Sequence, residues 1–226
     1  DETGHGYSVG RLTSMIDGSG STAWFYDARG RVTQEVKIIE GAGAFVTGYT
    51  YDAANRVVTI MYPDGELVHQ SYDDGGALES LSSNIVGQDP YVQNVDYNSL
   101  GQITTMAYGN DVATQYAYNS LNFRLEHVQA SKDTTALLDL SYTYDTVGNV
   151  TSISDGVLGG VQYFTYDSLD RLTHAQAISG SVPYDRSYAY DEVGNITHKD
   201  GMGDYGYGKP VGIASGAKPH AVTHID

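Results

Sequence analysis

The chain contains no cysteine, which excludes disulfides and thiolate metal sites and leaves the redox compartment unread. Basic residues are scarce: twelve Lys and Arg stand against 28 Asp and Glu, a formal charge of -16. Phosphate binding needs a basic face, so neither nucleic acid nor an anionic membrane surface is an expected partner. No run of about 18 apolar residues is present to span a bilayer. The opening DETGHGYSVG has neither the basic start nor the apolar stretch of a signal peptide, and the reading is of a segment cut from something longer. Proline, phenylalanine and tryptophan number five, four and one, against 20 Tyr and 27 Gly. That is a composition of strands and tight turns rather than of helices.

What is present is a repeat. The phrase SYTYDTVGNVTSISDG from Ser141 returns as SYAYDEVGNITHKDG from Ser187, 46 positions on when counted from Tyr144 to Tyr190. Aligning on that Tyr gives Tyr26, Tyr51, Tyr72, Tyr97, Tyr118, Tyr144, Tyr166 and Tyr190, with a degenerate copy at Tyr7. The next residue is always Asp or Asn. Four residues after each Tyr stand Gly30, Asn55, Gly76, Gly101, Asn122, Gly148, Asp170 and Gly194, the residue types that tolerate positive φ.

This spacing predicts a type I turn closed by a G1 bulge: the Asp or Asn side chain caps backbone N–H groups, and the Gly-type residue takes the left-handed position. An apolar residue and usually Thr restart the strand, as in Val32-Thr33, Val150-Thr151 and Ile196-Thr197. Before the Tyr, aromatic residues alternate with Ser, Thr or Ala, so aromatics share one face and small residues the other, forming a cross-strand aromatic ladder. Gaps between successive Tyr alternate short and long, which puts these corners on one edge. The opposite edge then alternates tight returns with longer ones. Tyr118 to Leu125 has one residue too many, and a bulge is expected there. Residues 1–205 read as an array of about nine hairpins, and 206–226 as a tail or a partial next unit.

The phrases YDARGRVT, YDAANRVV, YDSLDRLT, YDTVGNVT and YDEVGNIT resemble the YD repeats of the RHS family, over about Tyr7 to Tyr207. YPDGE, AYGND, LLDLSYTYD and KPHAVTHI also resemble stretches of bacterial RHS proteins and of the BC components of Tc toxin complexes. The resemblance implies an all-β fold, in which antiparallel hairpins form a curved, spiralling sheet that walls a hollow shell. Toxin proteins use such shells to enclose a C-terminal effector, and teneurins use one as an extracellular module. The family's self-cleavage motif, of DPxxGRF type, does not carry over: Asp89-Pro90 is followed by Tyr91-Val92-Gln93. About 18 strands at ~4.8 Å give a strip of ~85 Å, or a ring ~27 Å across, too narrow for a folded 100-residue protein of ~13 Å radius of gyration. The segment is expected to be wall rather than a whole container.

Other chemistry is weaker. His220 and His224 stand four apart but lack the Glu of a zincin, and a surface tail is the plainer reading. Asp17-Gly18-Ser19-Gly20-Ser21 lacks the downstream ligand of a calcium loop. The sequons at Asn149 and Asn195 fall on strand-start positions of the repeat. One Asp per turn suits turns, whereas catalysis needs one distinctive pair. The expectation is therefore a non-enzymatic scaffold with no catalytic, cofactor or metal residues. It belongs to a secreted or surface bacterial toxin-like protein, and its partners are the remainder of that protein, a core domain and an effector. The alternative is a carbohydrate-binding or adhesion module whose exposed Tyr stripe meets cell-surface glycans.

Overall fold

The computed structural model of the chain describes residues 3–87, 90–178, 183–207 and 222–226. The chain divides into two compact units, Asp1–Thr114 and Gln115–Asp226. Among the described residues there is no helix.

In the first unit nine strands follow one another: β1 (Ser14–Asp17), β2 (Gly20–Tyr26), β3 (Val32–Ile39), β4 (Gly43–Tyr51), β5 (Val57–Met61), β6 (Leu67–Tyr72), β7 (Leu78–Ser83), β8 (Val92–Tyr97) and β9 (Ile103–Tyr108). Each pairs antiparallel with the next. The division between units falls within β10 (Val112–Tyr118). The second unit continues with β11 (Leu125–Lys132), β12 (Thr135–Tyr144), β13 (Val150–Asp155), β14 (Gly160–Tyr166), β15 (Leu172–Ala177), β16 (Tyr184–Tyr190), β17 (Ile196–Lys199), β18 (Gly203–Tyr207) and β19 (Val222–Ile225), again antiparallel in chain order.

The alternation of long and short gaps has a physical source. Between β3 and β4 the return is tight, Ile39 pairing with Gly43, and between β11 and β12 Lys132 pairs with Thr135. There the extra length lies in longer strands rather than in longer returns. The returns between β7 and β8 and between β15 and β16 include residues outside the described ones.

The register sorts the side chains cleanly. On the face of the repeat tyrosines lie all six apolar residues that are buried among those described: Val68, Val92, Val95, Val128, Ala175 and Ala177. The other face carries pairs of small polar groups, such as Ser71 with Ser80 (2.7 Å between hydroxyls) and Thr143 with Ser152 (2.6 Å). No described large side chain is fully enclosed, so a two-sided hydrophobic core is not what holds either unit together.

Candidate functional site

Each corner is built as the sequence spacing predicts. At Tyr26 the Asp27 N–H donates to the Arg31 carbonyl (3.0 Å), the Gly30 N–H donates to the Asp27 carbonyl (2.9 Å), and Gly30 takes φ 78°. Asp27 Oδ1 accepts from the N–H groups of Arg29 (2.9 Å) and Arg31 (3.0 Å). The same capping recurs at Asn98, Asp145, Asp167 and Asp191. Positive φ is found at Asn55, Gly76, Gly101, Gly148, Asp170 and Gly194. One corner departs: with its extra residue, the Phe123 N–H donates to the Asn119 carbonyl (2.9 Å) and Phe123, not Asn122, takes φ 59°.

A second irregularity repeats just past the turn. Tyr26 pairs with Val32 but Phe25 pairs with Gln34, so Thr33 is bulged out. The same shift recurs at seven further tyrosines, from Tyr51 to Tyr207. The recurrent Thr of the repeat often stands there, and its hydroxyl donates back across the pair: Thr33 to the Phe25 carbonyl (3.3 Å), Thr173 to that of Thr165 (3.1 Å), Thr223 to that of Gly206 (3.0 Å). A bulge leaves a carbonyl without its ladder partner, and a β-branched hydroxyl supplies one.

Consecutive corners are tied by two links. In the first, the Tyr hydroxyl donates to the carbonyl of the apolar residue that restarts the previous unit. Tyr51 bonds Val32, Tyr72 bonds Val57, Tyr97 bonds Leu78, Tyr144 bonds Leu125, Tyr166 bonds Val150, Tyr190 bonds Leu172 and Tyr207 bonds Ile196, at 2.6–2.9 Å. Tyr26 bonds Leu12 likewise, at 2.5 Å, so the degenerate first copy is tied in as well. Burial pushes the phenols of Tyr51, Tyr97, Tyr144, Tyr166 and Tyr190 above their usual range.

The second link is arginine, five residues after the Tyr, six at the lengthened corner and four in the degenerate copy at Tyr7. Its guanidinium lies over the Tyr ring of the next corner: Arg31 over Tyr51 (4.5 Å), Arg56 over Tyr72 (4.4 Å), Arg171 over Tyr190 (4.7 Å), Arg124 over Tyr144 (5.6 Å) and Arg11 over Tyr26 (5.8 Å). Its Nε donates to its own corner's Asp, as in Arg31 to Asp27, Arg56 to Asp52 and Arg171 to Asp167, each at 2.7 Å. Nη1 of Arg31, Arg124 and Arg171 donates to the carbonyl of the next corner's Asp at 2.8–3.1 Å. Where Arg is absent, Asn149 and Asn195 donate their amides to Asp145 (3.0 Å) and Asp191 (2.8 Å). Both sequon amides are thereby occupied inside the corner.

These contacts hold the corner carboxylates below the usual range. At Asp27, Asp52 and Asp167 the largest cause is the backbone N–H of the arginine four residues on, aided by its side chain. At Asp145 and Asp191 burial pushes upward, and hydrogen bonds from the turn N–H groups and the Asn side chain outweigh it. An acid catalyst needs the opposite shift, a carboxyl raised toward neutrality. The tyrosines of the repeat are likewise committed, hydroxyl to a carbonyl and in five cases ring to a guanidinium. Stacking on sugars is left to aromatics two positions earlier, such as Tyr142 and Tyr188.

The histidines, scattered in sequence, form cross-strand pairs with Asp on the polar face of the second unit: His127 with Asp139 (2.6 Å), His174 with Asp185 (2.5 Å), and His198 with Asp204 (2.5 Å) and Asp200 (3.0 Å). Asp204, then Asp200, raises the His198 pKa. His220 lies outside the described residues, and His224 faces Asp226 at 3.4 Å. Asp17 Oδ1 caps Ser19, accepting from its N–H (2.8 Å) and hydroxyl (2.6 Å), a turn rather than a calcium loop. Among the described residues no His, Asp or Glu group of three or more is arranged to hold a metal ion.

The corners at Tyr26, Tyr144 and Tyr166 lie within stretches that match a known family. The family model described as RHS repeat matches residues 7–38 and 144–182. The chain carries RHS repeats. It is similar to toxin subunit YenC2 of Yersinia entomophaga, 28% identical over 162 residues, covering 68% of this chain and 16% of that subunit. Toxin subunit YenC1 of the same organism is 29% identical over 119 residues, covering 49% of this chain and 12% of that one. The RHS chain thus spans about a sixth or less of the length of these relatives. Among solved structures, TcdB2-TccC3 aligns at 25% identity and a TM-score of 0.73, covering 83% of this chain and 12% of that one. The Photorhabdus luminescens Tc holotoxin pore aligns at 25% identity and 0.72, covering 84% and 11%. The all-β antiparallel architecture expected from the RHS resemblance is the one these structures share.

Proposed function

We propose that this RHS-repeat segment is wall: a non-catalytic scaffold in a longer, secreted or surface-exposed bacterial toxin-like protein, helping to enclose or present a C-terminal effector. The observation that carries this reading is the corner-to-corner tie. The corner Asp closes its own turn, while the hydroxyls of seven repeat tyrosines and the guanidinium groups of the corner arginines fasten one hairpin to the next. Residues 1–205 serve as the array. The Tyr207–Val222 pair, with Thr223 bulged after it, supports reading 206–226 as a partial next unit rather than as a tail.

The test is protease protection in the full-length parent. The polypeptide following the array should resist trypsin, and deleting one pair of hairpins, residues 144–189, should open the wall and expose it. Equal digestion with and without the deletion would sink the enclosure reading. Surface glycans as partners would be supported instead by glycan-array binding that is lost in Tyr142→Ala or Tyr188→Ala.

A further inference from the structure

On the tyrosine face, the residue two before each repeat Tyr stands opposite a residue of the following strand. Tyr49 faces Ile60, Gln70 faces Leu81, Val95 faces Met106 and Tyr142 faces Ile153. In the second unit this column changes character: Phe164 faces Ala175, and Tyr188 faces Lys199. Ala177, facing Gln162 and Tyr184, is also small. Where the corners at Tyr51, Tyr72, Tyr97 and Tyr144 place a long aliphatic side chain, and the one at Tyr26 places Glu35 opposite Trp24, a methyl group remains. A hollow of about 710 Å³ opens there, lined by Phe164, Ala175, Tyr184, Arg186, Tyr188 and Lys199 among others.

The hollow is basic in a chain of formal charge -16. Arg186 stands two residues before Tyr188 on the same strand face, and Lys199 stands opposite Tyr188. Their strand positions are therefore diagonal neighbours, with Cα atoms about 7–8 Å apart. Among the described residues neither forms an ion pair. Arg186 Nη1 donates to the Asp200 carbonyl at 2.7 Å, which anchors the guanidinium while leaving donors for another acceptor. Two like charges held side by side without a counter-charge disfavour one another and favour an anion that spans both.

We propose that this hollow receives an extended acidic peptide strand. Carboxylates at alternate positions of an extended chain lie on one side about 6.8 Å apart, which matches the spacing of the Arg186 and Lys199 strand positions. An apolar side chain two positions further along the same side would fill the space above Ala175, between Phe164 and Tyr184. This inference stands on the column of residues and the charge, and does not rest on the shell reading.

Fluorescence anisotropy tests it on the whole chain. The probe is a labelled peptide with glutamates at alternate positions followed by leucine, separated by serines; the control has glutamine for glutamate. The glutamate peptide is expected to bind and the control to bind at least about tenfold more weakly, with Arg186→Gln and Lys199→Gln each losing about tenfold. Ala175→Ile restores the aliphatic residue of four other repeats, so it should keep the circular dichroism and melting of the parent while abolishing binding. No binding of the glutamate peptide up to about 1 mM, equal binding of the control, or undiminished binding by a folded Ala175→Ile chain overturns the proposal. So does a trigalacturonate that binds more tightly than the peptide with the same dependence on Arg186, which would make the site one for acidic sugars.

Discussion

Replacing Gly148 by valine strains one corner and displaces a link to its neighbour, and the two effects can be separated. Gly148 has φ 117°, a conformation that L side chains rarely adopt, and forcing a β-branched residue there costs about 1–3 kcal/mol. A Cβ added at Gly148 would also lie 2.8 Å from Nη2 and 3.1 Å from Cζ of Arg124. That guanidinium covers Tyr144 at 5.6 Å and donates to the Asp145 carbonyl at 2.8 Å. Displacing it from the ring adds about 0.5–1 kcal/mol. Gly148→Val should therefore lower stability by about 1.5–4 kcal/mol. In an Arg124→Ala background the same change should cost only the backbone part. The assay is urea unfolding followed by circular dichroism at 218 nm or so, the ~200–220 nm region where strands absorb, on all four members of the cycle. An unchanged midpoint for Gly148→Val in both backgrounds would refute the turn assignment. A full-sized loss in the Arg124→Ala background would refute the tie alone.

Three further outcomes follow from the same geometry. Tyr166→Phe removes the donor to the Val150 carbonyl at 2.9 Å and should cost about 1 kcal/mol in urea unfolding; a neutral result would deny the hydroxyl link any energetic role. Asn149→Arg installs the missing guanidinium over Tyr166, and the gain should be about 0.5–1 kcal/mol, with a loss larger than that contradicting the link. Finally, Asp27, Asp52, Asp145, Asp167 and Asp191 are depressed in the folded chain, so their contribution is complete above the unfolded value of about 3.9 and is lost as pH falls through the folded values. The raised tyrosines act oppositely: their contribution is complete below about 10 and is lost as pH rises through the folded values. Urea midpoints should thus fall at both extremes, with one further small decline near neutrality: Asp204 and Asp200 raise His198, so its contribution is complete below about 6.5 and is lost as pH rises through its folded value.

How much of this was legible depended on how local the physics is. Asp capping and the positive-φ residue are settled within five positions, and the columns Asp27 to Asp191 and Gly30 to Gly194 could be read directly. Phe123 could not: one inserted residue moved the positive φ one place past Asn122, and no residue-type rule selects phenylalanine there. The arginine link was visible in principle, since Arg31, Arg56 and Arg171 occupy one column, but Ala77, Gln102, Asn149 and Asn195 interrupt it. Its partner is the Tyr of the next corner, about 20 residues away, and only strand register brings the two together. The same is true of Ala175, whose small size means nothing until it is set beside Ile60, Leu81, Met106 and Ile153.

Where no large side chain is enclosed among the described residues, cohesion must come from somewhere other than a core, and within each unit corners fasten to their neighbours. The six buried apolar residues among those described, none larger than valine, could not by themselves order the strands of either unit against their conformational entropy. The hydroxyl-to-carbonyl and guanidinium-to-ring links supply a nearest-neighbour term that repeats with the sequence, as in other linear repeat architectures. Such a term is indifferent to how many repeats precede or follow, so length can vary without redesign of any one unit. A change on a strand away from the corners, such as Ala175 where four other repeats place an aliphatic residue, therefore touches none of these links.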